Sequence, residues 1–160
     1  MKRLLIVWHS RTGGTKAMAQ AAANAAAEIA VRLLPAAETH APDILAADGY
    51  IFAGPENLAS LSGPMKDLFD RCYYDVLDRI QGRPYAIMIC AGSDGTGAVR
   101  QMTRIATGWR LRPIAEPLII CTRAQTPEAI AAPKIIAPED LVRCAELGAG
   151  MAAGLAAGIF

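Results

Sequence analysis

Five short apolar runs, separated by segments of helical pattern, constrain the fold of this chain most strongly. They are "RLLIVWH" at 3–9, "EIAVRLL" at 28–34, "GYIFAG" at 49–54, "YAIMICAG" at 85–92 and "AEPLIICT" at 115–122. Each run is apolar almost throughout instead of alternating with polar residues, which is typical of strands that are covered on both faces. Strands that alternate with helices predict a parallel sheet with right-handed crossovers and helices on both faces.

Three segments between and after these runs have the pattern of helices. The segment "TKAMAQAAANAAAE" at 15–28 is rich in alanine, and Thr15 is available to cap it. Between the third and fourth runs, apolar residues recur at helical spacing, namely Met65, Leu68, Phe69, Cys72 and Val76. Pro138 and the carboxylates that follow it predict the start of a last helix.

Length and composition indicate one globular unit. The 160 residues show no change of composition, so we expect a single domain over 1–160. With 53% hydrophobic and 19% charged residues the chain is typical of globular proteins, and its apolar segments are too short or too interrupted to span a bilayer. A net charge of +1 predicts neither a nucleic-acid partner nor a membrane partner, which leaves small molecules.

The four cysteines are widely spaced and form no C-x-x-C pair. No histidine stands near enough to complete a set of metal ligands, so we predict free, reduced thiols and no metal site. The opening "MKRLLIVWHS" has too short an apolar stretch for an export signal and is interpreted as the first strand. Reduced thiols and the lack of such a signal both predict a cytoplasmic location.

The turn after the first run, "SRTGGT" at 10–15, combines hydroxyl side chains with two glycines at the start of a helix. Hydroxyls, backbone N–H groups and the helix dipole can together hold a phosphate there without a dedicated cation. The turn matches neither a Walker loop nor the dinucleotide fingerprint, and it lacks the cysteine and arginine of a phosphatase. An ordinary capped turn would use the same residue types, so the turn alone leaves both interpretations open.

Three motifs, each after a predicted strand, resemble the flavodoxin-like superfamily, in particular the flavodoxin family and the NAD(P)H-dependent FMN reductases. The first is "SRTGGT", which matches the phosphate loop at Ser10, Thr12, Gly13 and Thr15. The second is "GPENLASLSGPMKDLFDR" at 54–71, which matches at Pro55, Ser62, Gly63, Lys66, Phe69 and Asp70. The third is the glycine-rich loop "CAGSDGTGA" at 90–98.

The resemblance implies a flavodoxin-like three-layer α/β/α sandwich, with a five-stranded parallel sheet of order 2-1-3-4-5, and one non-covalent FMN. The phosphate would lie on the turn at 10–15, and the ring between the loops at 55–63 and 91–97. The implied cofactor-binding residues are Ser10, Arg11, Thr12, Gly13, Gly14, Thr15, Pro55, Glu56, Asn57, Leu58, Ala91, Gly92, Ser93, Asp94 and Gly95. We predict no catalytic side chain, because flavin chemistry requires none from the protein.

The chain departs from the family pattern in its ring loops. Family members often carry an aromatic residue where Asn57 or Leu58 stands, and a glycine where Ala59 stands. Neither ring loop here has an aromatic residue. The carboxylates of Glu56 and Asp94 would lie near the ring, and if both are ionised they should lower the flavin potential.

Some other residues have a structural and a functional interpretation. His9 fits a structural hydrogen bond better than a ligand contact, Trp109 fits packing, and Cys90 fits a buried strand thiol. Arg100 and Arg104 lie four residues apart and fit a solvated helix face better than a phosphate site for a nicotinamide donor.

The leading hypothesis is an FMN-binding oxidoreductase that moves electrons from NAD(P)H to a quinone, flavin or similar acceptor. The near-neutral charge favours such an enzyme over an electron carrier, since carrier flavodoxins are strongly acidic. Two alternatives stay open: an FMN electron-transfer protein (flavodoxin) that acts on protein partners, and a flavodoxin-like binding module without flavin. The sequence leaves open whether the chain forms a homo-oligomer, and it assigns no role to the segment 123–137.

Overall fold

The computed structural model describes residues 1–160 and places the five apolar runs side by side in one sheet. The strands are β1 (Arg3–Trp8), β2 (Ala30–Pro35), β3 (Gly49–Asn57), β4 (Ser60–Leu61), β5 (Pro84–Ala91), β6 (Arg112–Pro113) and β7 (Leu118–Cys121). The helices are α1 (Gly14–Ala25), α2 (Ala41–Ala46), α3 (Gly63–Val76), α4 (Thr96–Gly108), α5 (Pro127–Ala131) and α6 (Pro138–Ala157), with a 3₁₀ turn at Ala36–Glu38.

The sheet has the order β2-β1-β3-β5, and β6 and β7 both pair with β5 at the edge. These pairings are parallel, so the predicted order 2-1-3-4-5 is confirmed. The fifth strand is shorter than the predicted run at 115–122, because Pro117 has no N–H to donate and β7 begins only after it. The small β4 pairs antiparallel with the end of β3 and forms a hairpin.

The two faces of the sheet bury alternate residues of each strand. Leu5 and Phe52 belong to the core cluster that packs against α3 and α4, whereas Leu4 and Ile51 belong to the cluster under α1 and α6. Successive side chains of a strand point to opposite faces, so a strand covered on both sides must be apolar throughout. This double coverage explains the uninterrupted apolar runs.

The helix α3 follows the predicted amphipathic pattern. The buried residues of α3 are Met65, Leu68, Phe69, Cys72 and Val76, as predicted. Trp109 is buried against the edge of the Phe69 ring, with centroids 5.2 Å apart, so its packing role is confirmed. None of the helices has both the length and the apolar character that a crossing of the membrane requires.

The start of α1 differs from the prediction. The helix begins after Gly13, which has a φ of 93°, and Thr15 is buried in the first turn instead of capping it. The predicted cap at Thr15 is therefore wrong, because a glycine in the left-handed conformation already turns the chain into the helix. This geometry leaves the Thr15 side chain at the edge of a cavity.

Candidate functional site

The carboxyl ends of β1, β3 and β5 border a cavity of about 780 Å³. Carboxyl ends of parallel strands meet at one edge of a sheet, which is where open α/β sheets bind ligands. Four chain segments form the walls, and their lining residues are Ser10, Arg11, Thr12, Gly14, Thr15, Pro55, Glu56, Asn57, Leu58, Ala59, Cys90, Ala91, Gly92, Ser93, Thr122, Ala124, Gln125, Ile130, Ala131 and Lys134.

The turn after β1 presents hydrogen-bond donors at the start of α1. The Gly13 N–H donates to Ser10 Oγ at 3.0 Å. No backbone carbonyl accepts the N–H groups of Thr12, Gly14 or Thr15. Free backbone donors, hydroxyl groups and the positive end of a helix are the donor set that suits phosphate oxygens, which only accept hydrogen bonds. The residues of this turn therefore fit a phosphate group.

The two glycines of this turn have different roles. A Cβ at Gly13 would meet no atom within 4 Å, so the space beside this residue is empty. A Cβ at Gly14 would lie 2.8 Å from the Cys90 Sγ atom and 3.2 Å from the Lys134 Cβ atom. Gly14 is therefore small because Cys90 of β5 and Lys134, which lies between α5 and α6, pack against it.

The hairpin of β3 and β4 forms the second wall. Asn57 pairs with Ser60, so Leu58 and Ala59 are the two turn residues. Both have positive φ, 52° and 59°, which is the geometry of a type I′ turn and is costly for residues with a side chain. This turn places the fully exposed Leu58 at the rim of the cavity.

The loop after β5 forms the third wall, and Glu56 connects it to the hairpin. One Glu56 carboxylate oxygen accepts the Gly95 N–H at 2.9 Å, and the other accepts the Ala98 N–H at 3.1 Å. Asp94 accepts hydrogen bonds from the N–H and the hydroxyl of Thr96. Both carboxylates thus lie at the positive end of α4, whose partial charge offsets theirs. Their expected effect on a flavin potential is reduced accordingly.

The segment after β7 forms the fourth wall; we call residues 122–134 the closing segment. The Arg123 N–H donates to the Gly92 carbonyl at 2.8 Å, and a Cβ at Gly92 would lie 3.2 Å from the Ala124 carbonyl oxygen. At the other end, the Lys134 N–H donates to the Thr12 carbonyl at 2.8 Å. The closing segment is therefore anchored to both the third wall and the turn after β1.

The cavity brings together the residues predicted from sequence except Gly13, Asp94 and Gly95, which lie beside it. Sequence reasoning missed the remaining lining residues, namely Ala59, Cys90, Thr122, Ala124, Gln125, Ile130, Ala131 and Lys134. Most of them belong to the closing segment, which lies outside the three motifs. The signal that could have found it is its position after a strand, since that places it at the same edge of the sheet as the motifs.

Two titratable groups lie behind the walls. The His9 Nδ1 and Ser62 Oγ atoms are 2.9 Å apart, which confirms the predicted structural hydrogen bond. Burial, and secondarily the charge of Arg11, lowers the pKa of His9 from its ordinary value, which favours the neutral imidazole. Burial raises the pKa of the Cys90 thiol, which lies under the turn after β1. The predicted buried strand thiol is confirmed, although Cys90 also lines the cavity.

Comparison of the sequence with known proteins finds one matching family and a flavodoxin. The family model described as NADPH-dependent FMN reductase matches residues 31–125. A flavodoxin of Aquifex aeolicus (strain VF5) is 33% identical over 100 residues, which cover 61% of this chain and 54% of that protein. The chain thus spans about half the length of the curated relative that it matches.

Comparison with solved structures shows the same fold. A flavodoxin from the domain Archaea superposes with a TM-score of 0.79 at 18% identity, covering 96% of this chain and 98% of that one. A WrbA-like protein from Agrobacterium tumefaciens gives a TM-score of 0.67 at 18% identity, with 96% of each chain covered. Rubredoxin oxygen:oxidoreductase from Desulfovibrio gigas gives 0.79 at 16% identity over 99% of this chain and 37% of that protein. The predicted flavodoxin-like fold is confirmed.

Proposed function

Since this chain belongs to the NADPH-dependent FMN reductase family, we propose that it binds one FMN and moves electrons from NAD(P)H to a small acceptor such as a quinone or a free flavin. The observation that carries the proposal is the single cavity that joins the donor-rich turn at 10–15 to two loops suited to a flat ring. A cavity of about 780 Å³ is in the range of cofactor sites.

The residues of the cavity fit the two ends of FMN. The turn at 10–15 would bind the phosphate through backbone N–H groups and hydroxyls, and the hairpin and the loop after β5 would hold the ring. When bound, FMN supplies the chemistry of electron and hydride transfer. Glu56 would serve by holding the two ring loops at a constant separation, since its carboxylate bonds to both Gly95 and Ala98.

The lining side chains favour an enzyme with a small acceptor. The ring loops and the closing segment contribute small or aliphatic side chains there, among them Leu58, Ala59, Gly92 and Ile130. Such walls leave room for a flat substrate beside the ring, where an aromatic side chain would occupy one face. The protein need only position and enclose the two reactants, since the cofactor carries the chemistry.

A second candidate is an FMN electron-transfer protein that reacts with protein partners. It is supported by the flavodoxin relative and by two apolar side chains at the rim of the cavity, Leu58 and Ile130, which are exposed by 101% and 57%. Exposed apolar residues beside a redox centre suit a transient contact with another protein. The net charge of +1 argues against it, because it provides little electrostatic steering.

The experiment that tests the proposal is an FMN titration followed by a donor assay. The purified chain should bind FMN. Without dioxygen, the FMN-loaded chain should oxidise one equivalent of NADPH or NADH by itself and many equivalents only when a quinone or free flavin is added. The double variant Thr12→Ala, Thr15→Ala should lose FMN, whereas Thr107→Ala, in the last turn of α4, should retain it. FMN binding without nicotinamide oxidation would favour the second candidate, and failure to bind FMN would rule out both.

A further inference from the structure

Lys134 lies at the end of the closing segment, directly against the turn after β1. Its N–H donates to the Thr12 carbonyl at 2.8 Å, and its Cβ atom is 3.2 Å from the position that a Cβ at Gly14 would take. The residue is partly buried and lines the cavity together with Ser10 and Thr15. The root of this side chain is therefore held beside the donor groups that fit a phosphate.

The positive charge of Lys134 has no carboxylate partner. Its Nζ atom donates to the carbonyls of Ile130 at 2.8 Å and Ala132 at 2.6 Å, and none of the ion pairs in the chain includes it. Carbonyl oxygens hold an ammonium group without neutralising it. The charge of Lys134 also acts on Cys90, which lines the cavity. Burial raises the pKa of the Cys90 thiol, and the positive charge of Lys134 opposes that rise.

We propose that Lys134 is a cofactor-binding residue whose ammonium group contacts the phosphate of FMN, an inference that rests on the proposed function. A phosphate monoester carries about −1.5 to −2 charges near neutral pH. The turn at 10–15 offers it neutral donors, a helix end and one cation, Arg11, which is exposed. Part of the phosphate charge is therefore left without a buried counter-charge. The flexible stem of a lysine lets the ammonium group move from the carbonyls to the phosphate while its Cβ atom stays in place.

Titrations with two flavins distinguish a phosphate contact from a structural role. The full chain without flavin is titrated with FMN and with riboflavin, which lacks the phosphate, and binding is followed by flavin fluorescence. In Lys134→Met the FMN affinity should fall about tenfold, because a charge-assisted hydrogen bond is lost. Its riboflavin affinity should stay unchanged, and Lys134→Arg should keep most of the FMN affinity. The main-chain bond to Thr12 is preserved in both variants.

The matched control is Lys2→Met, since Lys2 lies just before β1, at the opposite edge of the sheet. An equal loss of FMN and riboflavin affinity in Lys134→Met would overturn the inference, since it would show that the side chain only supports the closing segment. Unchanged FMN affinity would overturn it as well. Should riboflavin bind too weakly to titrate, salt decides: added salt should weaken FMN binding more in the wild type than in Lys134→Met, and equal slopes would overturn the inference.

These outcomes also separate this inference from the proposed function. If the wild-type chain binds FMN and Lys134→Met binds it equally well, the cofactor assignment stands and the role of Lys134 is lost. If the wild-type chain binds no FMN at all, both are lost.

Discussion

The carboxylate of Glu56, at the end of β3, accepts the backbone N–H of Gly95 at 2.9 Å, and its second oxygen accepts the N–H of Ala98 at 3.1 Å. One side chain thus accepts hydrogen bonds from two backbone N–H groups at the start of α4, and it joins two walls of the cavity. Glu56 therefore holds the hairpin of β3 and β4 to the loop after β5.

Replacing Glu56 should destabilise the fold. Because two partly buried N–H groups lose a charged acceptor in Glu56→Ala, its free energy of unfolding should fall by about 2–3 kcal/mol. The free energy of unfolding of Glu56→Gln, which keeps one acceptor oxygen, should fall by less. Urea denaturation measures the free energy of unfolding of both variants. The control is Glu146→Gln on the exposed face of α6, which should unfold like the wild type. An unchanged urea midpoint in Glu56→Ala would contradict the bridging role.

A side chain at Gly97 should force the hairpin away from α4. A Cβ there would lie 2.0 Å from the carbonyl oxygen of Ala59, a backbone atom that cannot rotate aside. Gly97→Ala should therefore cost about 3 kcal/mol of stability and weaken FMN binding. Gly108→Ala, in the last turn of the same helix, meets no atom within 4 Å and should raise stability by about 0.5 kcal/mol. Similar melting temperatures for the two variants would argue against the close contact.

The hairpin turn stores strain that substitution can relieve. Leu58 and Ala59 both have positive φ, a conformation that costs about 1 kcal/mol or more for each residue with a side chain. The double variant Leu58→Asn, Ala59→Gly has the preferred residues of a type I′ turn and should melt at a higher temperature. Leu58→Val should melt lower, since a β-branched residue tolerates positive φ least. If the Asn-Gly variant melts no higher than the wild type, the turn is not strained.

His9 should make the fold sensitive to acid. Its pKa in the folded state lies below its ordinary value of 6.5, because burial and then Arg11 disfavour the charged ring. Protonation of His9 therefore favours the unfolded chain. The contribution of the neutral ring to the free energy of unfolding is complete above about pH 6.5 and is lost as the pH falls through the folded-state pKa. In His9→Asn, the loss of urea resistance between pH 7.5 and pH 5 should be smaller. The control is His40→Asn, which replaces the second histidine, an exposed one. Its urea resistance should change with pH as that of the wild type does.

Much of the fold and most of the cavity lining were predictable because their signals are local. Strands covered on both faces have apolar runs, and α3 shows its buried face in the spacing of Met65, Leu68, Phe69, Cys72 and Val76. The turn at 10–15 and the loop after β5 lie next to strand ends, so their place at one edge of the sheet follows from the parallel order. The cap at Thr15 was mispredicted because a left-handed glycine and a polar cap can both start a helix.

Periodicity and strand ends are local signals, and they predict the order of the elements and the edge of the sheet at which the turn at 10–15 meets the loops after β3 and β5. The strand order came from the three motifs that resemble the flavodoxin-like superfamily. Only the packing of the folded chain brings Glu56 to the start of α4 and Lys134 against Thr12. Such contacts join residues far apart in the chain, and they depend on where packing places each backbone, for which no local pattern of residues provides a signal.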